Sequence, residues 1–265
     1  MHQRGYNKAI YAHFFAEGGS FFLPPIFVRV RSPEQLLRLA EEYAPFSSIL
    51  RGFILPKFFL ENCGAYLAAI RSIGRTEEYF YMPVFESAAM IPPQTRREAL
   101  TEVRAQLDTV SGSILNIRVG GNDLSHAFGL RRPANRTIYD LRPVADILID
   151  IVAAFGTQYV VSGPVWEYYS GEGWEEGLRR EMELDLLNGF TGKTVIHPNQ
   201  IPVVNEMLRV SQQDYADARA ILNWDTGSGS LVSASEDGGR MNEYNTHSRW
   251  ARRIVLRAER YGVRA

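Results

Sequence analysis

The sequence predicts an α/β protein with one parallel sheet, of the barrel or doubly wound type. Short apolar runs alternate along the chain with stretches of helical period, which is the pattern of strands covered by helices on both faces. Several runs are followed at once by a polar residue, and ligands bind at the carboxyl ends of the strands in such folds. With 265 residues, of which 45% are hydrophobic, the chain can form one large core.

Six strands are predicted, each from a run of apolar or β-branched residues. They lie at 26–30, 52–56, 81–85, 114–119, 159–161 and 194–196. The residues at or shortly after their ends are, in order, Arg29, Lys57, Glu86, Asp123, Glu167 and His197. Because all carboxyl ends in a barrel face one mouth, we expect these side chains to converge there.

Helices are predicted between the strands from capping residues and stop signals. Ser32 is predicted as an N-cap that is followed by Pro33 at the first helical position. Thr137 and Asp140 are predicted to form a capping box, and so are Ser211 and Asp214. One helix begins at Ser32, and the others span about 6–16, 61–73, 93–107, 137–155, 175–188, 200–208 and 211–221.

Three segments are predicted along the chain. Residues 1–222 form the barrel domain, and 223–247 form a flexible loop because they are rich in Gly, Ser, Asp and Asn. Residues 248–265 form a C-terminal helix with an apolar side opposite several arginines. We expect that helix to dock on the barrel or on a neighbouring subunit, and we expect a homo-oligomer.

Charge and composition exclude several classes of partner. The formal net charge is −1 and the pI is near 6.5, so no overall basic field attracts nucleic acid or an anionic membrane. The single cysteine, Cys63, cannot form an intrachain disulfide. No apolar stretch reaches the roughly 20 residues of a membrane span. We expect a soluble cytoplasmic protein that binds a small molecule.

Glu86 and Asp123 are the candidate metal ligands. Two carboxylates at strand ends, without a cysteine cluster, suit a hard cation such as Mg²⁺, which fills its other positions with water and substrate oxygens. Gly120 and Gly121 are candidate substrate-binding residues, because they let a substrate come close. The alternative is that both acids form ion pairs with arginines or lysines at the barrel mouth.

Five further residues are candidates for binding or catalysis. The planar guanidinium of Arg29 matches a carboxylate and can neutralise a developing enolate, or it forms a salt bridge to one of the acids. Lys57 is a Schiff-base candidate or a positive charge that helps to bind substrate. His197 is a candidate general acid or base, or it hydrogen-bonds a turn. Trp166 and Glu167 are expected to shape the wall of the substrate site.

Six motifs in order resemble the citrate lyase β-subunit-like (HpcH/HpaI) aldolase family. They are VRVRSPEQL, GFILPKF, MPVFES, LNIRVGGNDLSHAFGLRR, VVSGPVWEYYS and GKTVIHPNQIPVVNEML. More closely, the chain is similar to the C-C bond lyase branch of that family, which is found with tellurium-resistance and stress-response gene clusters. The resemblance runs from about Ile26 to the tail RMNEYNTHSRWARRIVLRAERYGV, and six motifs in one order make it specific.

The resemblance implies a TIM-type (β/α) barrel and magnesium-dependent cleavage or formation of a carbon–carbon bond next to a carboxylate, on keto-acid or acyl-CoA substrates. The family's metal-binding glutamate falls on Glu86, and its metal-binding aspartate falls on Asp123. Its substrate-binding arginine falls on Arg29. The metal and this arginine are then expected to stabilise the enolate released on cleavage.

The chain departs from the family pattern before Ile26. Family members begin with two further strands, the second followed by acids that order the waters of the metal, and no such pattern precedes Ile26. We therefore expect about six of the eight βα units, with the barrel incomplete at its N-terminus. The identity of the general base is left open, and the candidates are His197, Glu167 and a residue of a neighbouring subunit. The alternative function is a non-catalytic scaffold or ligand-binding homologue.

Overall fold

A computed structural model describes residues 24–74, 79–224, 232–235 and 238–264. The strands of the central sheet are β1 (Ile26–Arg29), β2 (Leu50–Leu55), β3 (Phe80–Phe85), β4 (Ile117–Val119) and β5 (Val161–Ser162). All neighbouring pairs are parallel, and the order β1-β2-β3-β4-β5 follows the sequence. The predicted α/β class with a parallel sheet is confirmed.

Helices follow the strands, because two parallel strands need a long crossover connection. Between successive strands lie α1 (Pro33–Tyr43), α2 (Cys63–Ile73), α3 (Pro93–Asp108), and α4 (Gly121–Ala127) with α5 (Arg142–Phe155). After β5 come α6 (Trp174–Leu187), α7 (Gln200–Met207), β6 (Val210–Ser211) and α8 (Gln212–Leu222). The last described elements are β7 (Val232–Ala234), β8 (Met241–Glu243), α9 (Tyr244–Tyr261) and β9 (Val263–Arg264).

The helix starts follow the capping signals in the sequence. Ser32 Oγ accepts a hydrogen bond from the backbone N–H of Gln35 at 3.2 Å, which satisfies a donor that the first turn of α1 leaves free. The capping box also forms, with the backbone N–H of Thr137 donating to Asp140 Oδ2 at 2.7 Å. This box opens a short 3₁₀ turn, and α5 itself begins at Arg142.

One face of the sheet packs under the helices, and the other face turns inward. Phe85 and Ile117 are buried on the helix side, where the rings of Phe85 and Phe155 lie 4.9 Å apart. Burying such a side chain contributes about 1.5–3 kcal/mol to the stability of the fold. Because side chains alternate along a strand, Val84 and Arg118 face the other side. The helix side therefore stabilises the fold, and the inner side is available for a site.

The sixth predicted strand, 194–196, is wrong, because no ladder forms over those residues. A single parallel bridge joins Gly163 to Lys193 instead, supported by the backbone N–H of Thr194, which donates to the Gly163 carbonyl at 3.3 Å. The ladder does not continue, because the next pair of hydrogen-bonding groups is engaged elsewhere. The backbone N–H of Ile196 donates to Gln200 Oε1 at 2.9 Å, and the Val165 carbonyl accepts from Arg132 Nη2. The central parallel sheet of the described residues thus has five strands.

The described residues of the C-terminal segment include regular secondary structure. Within 223–247, the described residues include the antiparallel pair β7 and β8, and α9 begins at Tyr244 rather than near residue 248. The helix α9 packs on α8 and reaches the end of α5, where Arg253 Nη2 donates to the Gly156 carbonyl at 2.7 Å. It therefore docks on its own chain. The helix predicted over 6–16 lies outside the described residues.

Among the residues that the structure describes, no helix combines the length and the apolar composition needed to cross a bilayer.

Candidate active site

A cavity of about 320 Å³ lies where β1, β3 and β4 end and α4 begins. This is the carboxyl end of the sheet, where ligands bind in such folds. Apolar strand side chains form part of the lining, and the charged and polar lining residues are Arg29, Glu86, Arg118, Asn122, Asp123 and Thr194. The structure thus brings the three main candidates from the sequence, Arg29, Glu86 and Asp123, to one cavity.

Glu86 is the most constrained of these side chains. Only 7% of the residue is exposed, and its Oε1 accepts a 2.9 Å hydrogen bond from Arg29 Nη2 and a 3.0 Å bond from the backbone N–H of Lys57. Lys57 adopts a left-handed backbone conformation with φ 50°, which is unusual for a residue with a side chain. Glu86 Oε2 accepts no hydrogen bond from the described residues, so one carboxylate oxygen is fixed and the other is available.

Gly120 and Gly121 are needed for close packing. A Cβ on Gly120 would lie 2.3 Å from Glu86 Cβ and 2.6 Å from Glu86 Oε2, so any side chain there would displace the carboxylate. A Cβ on Gly121 would lie 2.5 Å from Ile138 Cδ1. Both glycines line the cavity as well. The sequence predicts that the glycines let a substrate come close. In the structure, the Glu86 side chain occupies the space beside Gly120.

Asp123 lies in the first turn of α4 rather than on an extended strand end. Its side chain is exposed and forms no hydrogen bond or ion pair with any other described residue. A carboxylate is favourable at this position because the first helical turn carries partial positive charge. No group of three or more histidine, cysteine, aspartate or glutamate side chains that could hold a metal exists within the described ranges. A pair of carboxylates fits Mg²⁺, which keeps several waters, better than it fits a cation that needs a full protein cage.

Arg118 is the lining residue that the sequence reasoning missed. It extends from β4 into the cavity, and its Nη2 donates to Thr194 Oγ1 at 2.9 Å. Burial lowers the pKa of Arg118, as does the nearby Arg29, whereas Glu86 raises it; the group stays protonated, since arginine titrates far above neutral pH. The signal was present in the strand itself, because Asn116 and Arg118 stand at alternate positions in an otherwise apolar run.

Lys57 and His197 do not line the cavity. The side chain of Lys57 is exposed, and the residue contributes its backbone N–H to Glu86. The His197 ring stacks on Tyr169, with centroids 4.3 Å apart and planes at 12°, and its Nδ1 accepts a 3.2 Å hydrogen bond from the backbone N–H of Asn199. In this structure His197 thus organises a turn.

Trp166 and Glu167 also lie outside the lining. Trp166 is fully buried, with its Nε1 donating to the Trp174 carbonyl at 3.0 Å, so no face of its ring is open to a substrate. The guanidinium of Arg132 lies 5.1 Å from the centroid of its ring system. Glu167 pairs with Arg131 at 3.6 Å. Trp166 directly follows the lining residue Val165 and is buried behind the cavity wall.

A buried ionic network lies beneath that wall. Lys193 Nζ contacts Glu181 Oε1 at 2.7 Å and Asp185 Oδ2 at 2.8 Å, and Arg132 Nε lies 3.0 Å from Glu181 Oε2. The four charged side chains are at most 1% exposed. Tyr139 donates to Asp185 Oδ1 at 2.7 Å. Desolvation raises the pKa of Asp185, and the charge of Lys193 opposes that shift.

The network fixes two segments that line the cavity. Arg132 Nη2 donates to the carbonyl of Val165 at 2.5 Å, and Lys193 directly precedes Thr194 in the chain. Val165 and Thr194 both line the cavity. The network therefore fixes these two segments of the cavity wall.

Most of the chain matches one family model. The family is described as a C-C bond lyase of the TIM-barrel fold, and the match covers residues 16–263. A curated relative, the L-malyl-CoA/β-methylmalyl-CoA lyase of Cereibacter sphaeroides, is 38% identical over 74 residues, which are 27% of this chain and 22% of that protein. The matching part thus spans about a fifth of the length of that relative.

Two solved structures are similar in fold. A citrate lyase from Burkholderia xenovorans LB400 is 16% identical and has a TM-score of 0.63, covering 97% of this chain and 80% of that chain. RipC from Yersinia pestis is 17% identical and has a TM-score of 0.52, covering 69% of this chain and 76% of that chain. At such identities the likeness concerns the arrangement of strands and helices.

Proposed function

The chain belongs to the C-C bond lyase family of the TIM-barrel fold, and we propose that it is a magnesium-dependent enzyme that cleaves or forms a carbon–carbon bond next to a carboxylate. The observation that carries the proposal is the meeting of Arg29, Glu86 and Asp123 at one cavity on the carboxyl end of the sheet. The proposed substrates are keto acids or acyl-CoA thioesters.

Glu86 and Asp123 are the proposed ligands of Mg²⁺. Asp123 is exposed and unpaired among the described residues, and Glu86 Oε2 accepts no hydrogen bond there, so both residues have an oxygen to offer. Two carboxylates match the usual protein contribution to a magnesium site. When bound, the ion polarises the substrate carbonyl as a Lewis acid.

Arg29 is proposed to do two tasks in this cavity. Its ion pair with Glu86 fixes the orientation of that carboxylate. The side chain of Arg29 is 59% exposed, and only Nη2 is engaged by Glu86, so its other N–H donors are available to a substrate carboxylate. The same positive charge stabilises the enolate that remains on the substrate when the bond breaks.

Arg118 adds a second cation to the proposed site. It reaches the cavity from β4, whereas Arg29 reaches it from β1. Two arginines beside two carboxylates favour an anionic substrate, since an incoming anion restores the charge balance once a divalent cation is bound. The acyl-CoA class is further supported by the curated relative, whose name gives malyl-CoA and methylmalyl-CoA thioesters as its substrates.

A substrate screen tests the proposal. Purified protein is incubated with a panel of acyl-CoA thioesters and keto acids, with Mg²⁺ or with EDTA, and products are separated by chromatography. We expect cleavage that requires Mg²⁺, is lost in Asp123→Asn and is retained in Asp146→Asn, which changes an exposed aspartate away from the cavity. Cleavage that persists in EDTA contradicts the metal role. Binding without turnover of any compound identifies the alternative, a non-catalytic ligand-binding homologue.

A further inference from the structure

A second concave surface lies at the other end of the sheet. It is a groove of about 750 Å³ between the C-terminal part of α6, the segment 189–191 and the helix α9. It includes Val160, which precedes β5, whereas the candidate active site includes Val165, which follows β5. The two cavities share no lining residue. The groove is therefore separate from the proposed lyase site, and it has the size of a small-molecule pocket.

The groove concentrates positive charge. It is lined by the five arginines Arg209, Arg253, Arg257, Arg260 and Arg264. Among the described residues, the acids that line it are Glu183 and Asp214. The groove thus carries a local excess of three positive charges on a chain whose formal net charge is −1. Such a local excess attracts multiply charged anions.

One of the arginines has an unsatisfied donor. The Nε of Arg257 is buried and has no hydrogen-bond partner in the described part of the chain. Burial lowers the pKa of Arg257, as does Arg264, while Asp214 opposes the shift. A buried N–H without an acceptor costs free energy, so Arg257 gains when its side chain turns toward an anion in the groove.

The groove also has an exposed apolar surface. Leu187 on α6 is 82% exposed and Leu256 on α9 is 65% exposed, and both line the groove. Trp250 and Tyr261 line the groove as well and add partly exposed aromatic surface. Large apolar side chains exposed beside a cluster of cations are typical of a site that binds a molecule with both an anionic group and an apolar body.

We propose that this groove is a binding site for an organic phosphate with an apolar body. A phosphate carries up to two charges and several acceptor oxygens, and the planar guanidinium group matches its geometry. A monocarboxylate does not balance the excess of three charges equally well. The apolar body of the ligand covers Leu187 and Leu256, while the phosphate accepts hydrogen bonds from Arg257 and its neighbour Arg260.

Three probes separate the contributions. Isothermal titration of the full chain uses 1-naphthyl phosphate, its uncharged counterpart 1-naphthol, and inorganic phosphate. We expect 1-naphthyl phosphate to bind about tenfold or more tightly than either of the other two probes. The reason is that 1-naphthol lacks the anionic group and inorganic phosphate lacks the apolar body. Equal binding of 1-naphthol shows an apolar surface without an anion site and overturns the proposal. Equal binding of inorganic phosphate shows a purely ionic surface and also overturns it.

Variants locate the site. The double change Arg257→Gln with Arg260→Gln should weaken 1-naphthyl phosphate about tenfold or more, because charged hydrogen bonds to phosphate are lost. Arg252→Gln is the matched control, since Arg252 is an exposed arginine of the same helix that does not line the groove. An equal loss in that control indicates general attraction by α9 and contradicts the proposal, as does unchanged affinity in the double variant.

A further variant covers the case in which the double variant does not fold. Leu256→Glu keeps every arginine and places a negative charge at an exposed apolar position of the groove, so it should weaken 1-naphthyl phosphate by a similar factor. Asp123→Asn should leave the affinity unchanged, because Asp123 lines only the other cavity. Loss of binding in Asp123→Asn places the probe at the proposed lyase site and overturns the proposal.

Discussion

Arg29 and Glu86 are joined by a 2.9 Å hydrogen bond between Nη2 and Oε1, although β1 and β3 are separated in the sheet by β2. The same Oε1 accepts from the backbone N–H of Lys57, which follows β2. One carboxylate oxygen thus connects three successive strand ends. The connection fixes one oxygen of Glu86 at the cavity and leaves its second oxygen available.

Replacing Arg29 by lysine keeps the positive charge and removes the planar group. We expect kcat/KM to fall about 10- to 100-fold. A lysine ammonium lacks the planar set of N–H donors that can bind Glu86 and a substrate carboxylate at the same time. Thermal stability should change little, because a pair in which Arg29 is 59% exposed contributes about 0–1 kcal/mol. Steady-state kinetics and thermal melts measure the two effects. Arg31→Lys is the control, and full activity of Arg29→Lys contradicts the assigned role.

Gly120→Ala tests the close packing against Glu86. The added Cβ would lie 2.3 Å from Glu86 Cβ, so we expect a loss of about 1–3 kcal/mol in the free energy of unfolding, together with weaker Mg²⁺ binding. Gly64→Ala is the matched control. No heavy atom lies within 4 Å of its added Cβ, and as a helical position it should gain about 0.5–1 kcal/mol. Urea denaturation of both variants measures the difference, and a neutral Gly120→Ala contradicts the geometry.

Lys193→Met tests the buried network. The change leaves Glu181 and Asp185 without a shared cation in a fully buried position, so the free energy of unfolding should fall by about 3–5 kcal/mol. Glu175→Gln removes a half-exposed ion pair with Arg179 and should cost at most about 0.5 kcal/mol. Chemical denaturation compares the two. Similar losses in both variants show that the network contributes no more than a surface pair.

Asp140→Ala tests the capping box and its pH dependence. Hydrogen bonds from the Thr137 backbone N–H and hydroxyl hold the pKa of Asp140 below its ordinary value. A depressed folded pKa stabilises the protein above the unfolded pKa, which is about 3.9, and the effect is lost as the pH falls through the folded pKa. The variant should therefore cost about 0.5–2 kcal/mol at pH 7 and clearly less near pH 3. A cost that stays constant across this range contradicts the prediction.

Much of the fold could be predicted because its signals are local. The strands ending at Phe85 and Val119 come from largely apolar runs, and the cap at Ser32 involves residues three apart in the chain. The strand predicted at 194–196 failed for a non-local reason. Whether a short β-branched run forms a ladder depends on its partner, and here the Ile196 N–H and the Val165 carbonyl are bonded to side chains instead.

The site residues that could be predicted are charged residues assigned to the end of a strand. Arg29, Glu86 and Asp123 were found because each was assigned to a strand end, whereas Arg118, one residue before the end of the predicted strand 114–119, was passed over. The position of a residue in the sequence also does not show how far its side chain is buried, so the full burial of Trp166 could not be predicted. The buried network was invisible for the same reason, since its charged partners are up to 49 residues apart and meet only through the fold.

Metal binding by the two carboxylates is the central claim, and direct titration tests it. Isothermal titration with Mg²⁺, repeated with Mn²⁺ and electron paramagnetic resonance, is applied to the wild type, to Glu86→Gln and Asp123→Asn, and to the control Asp146→Asn. We predict one site in the wild type and in the control, with affinity about tenfold or more lower in each of the two cavity variants. Unchanged affinity in both folded variants would contradict the assignment of Glu86 and Asp123.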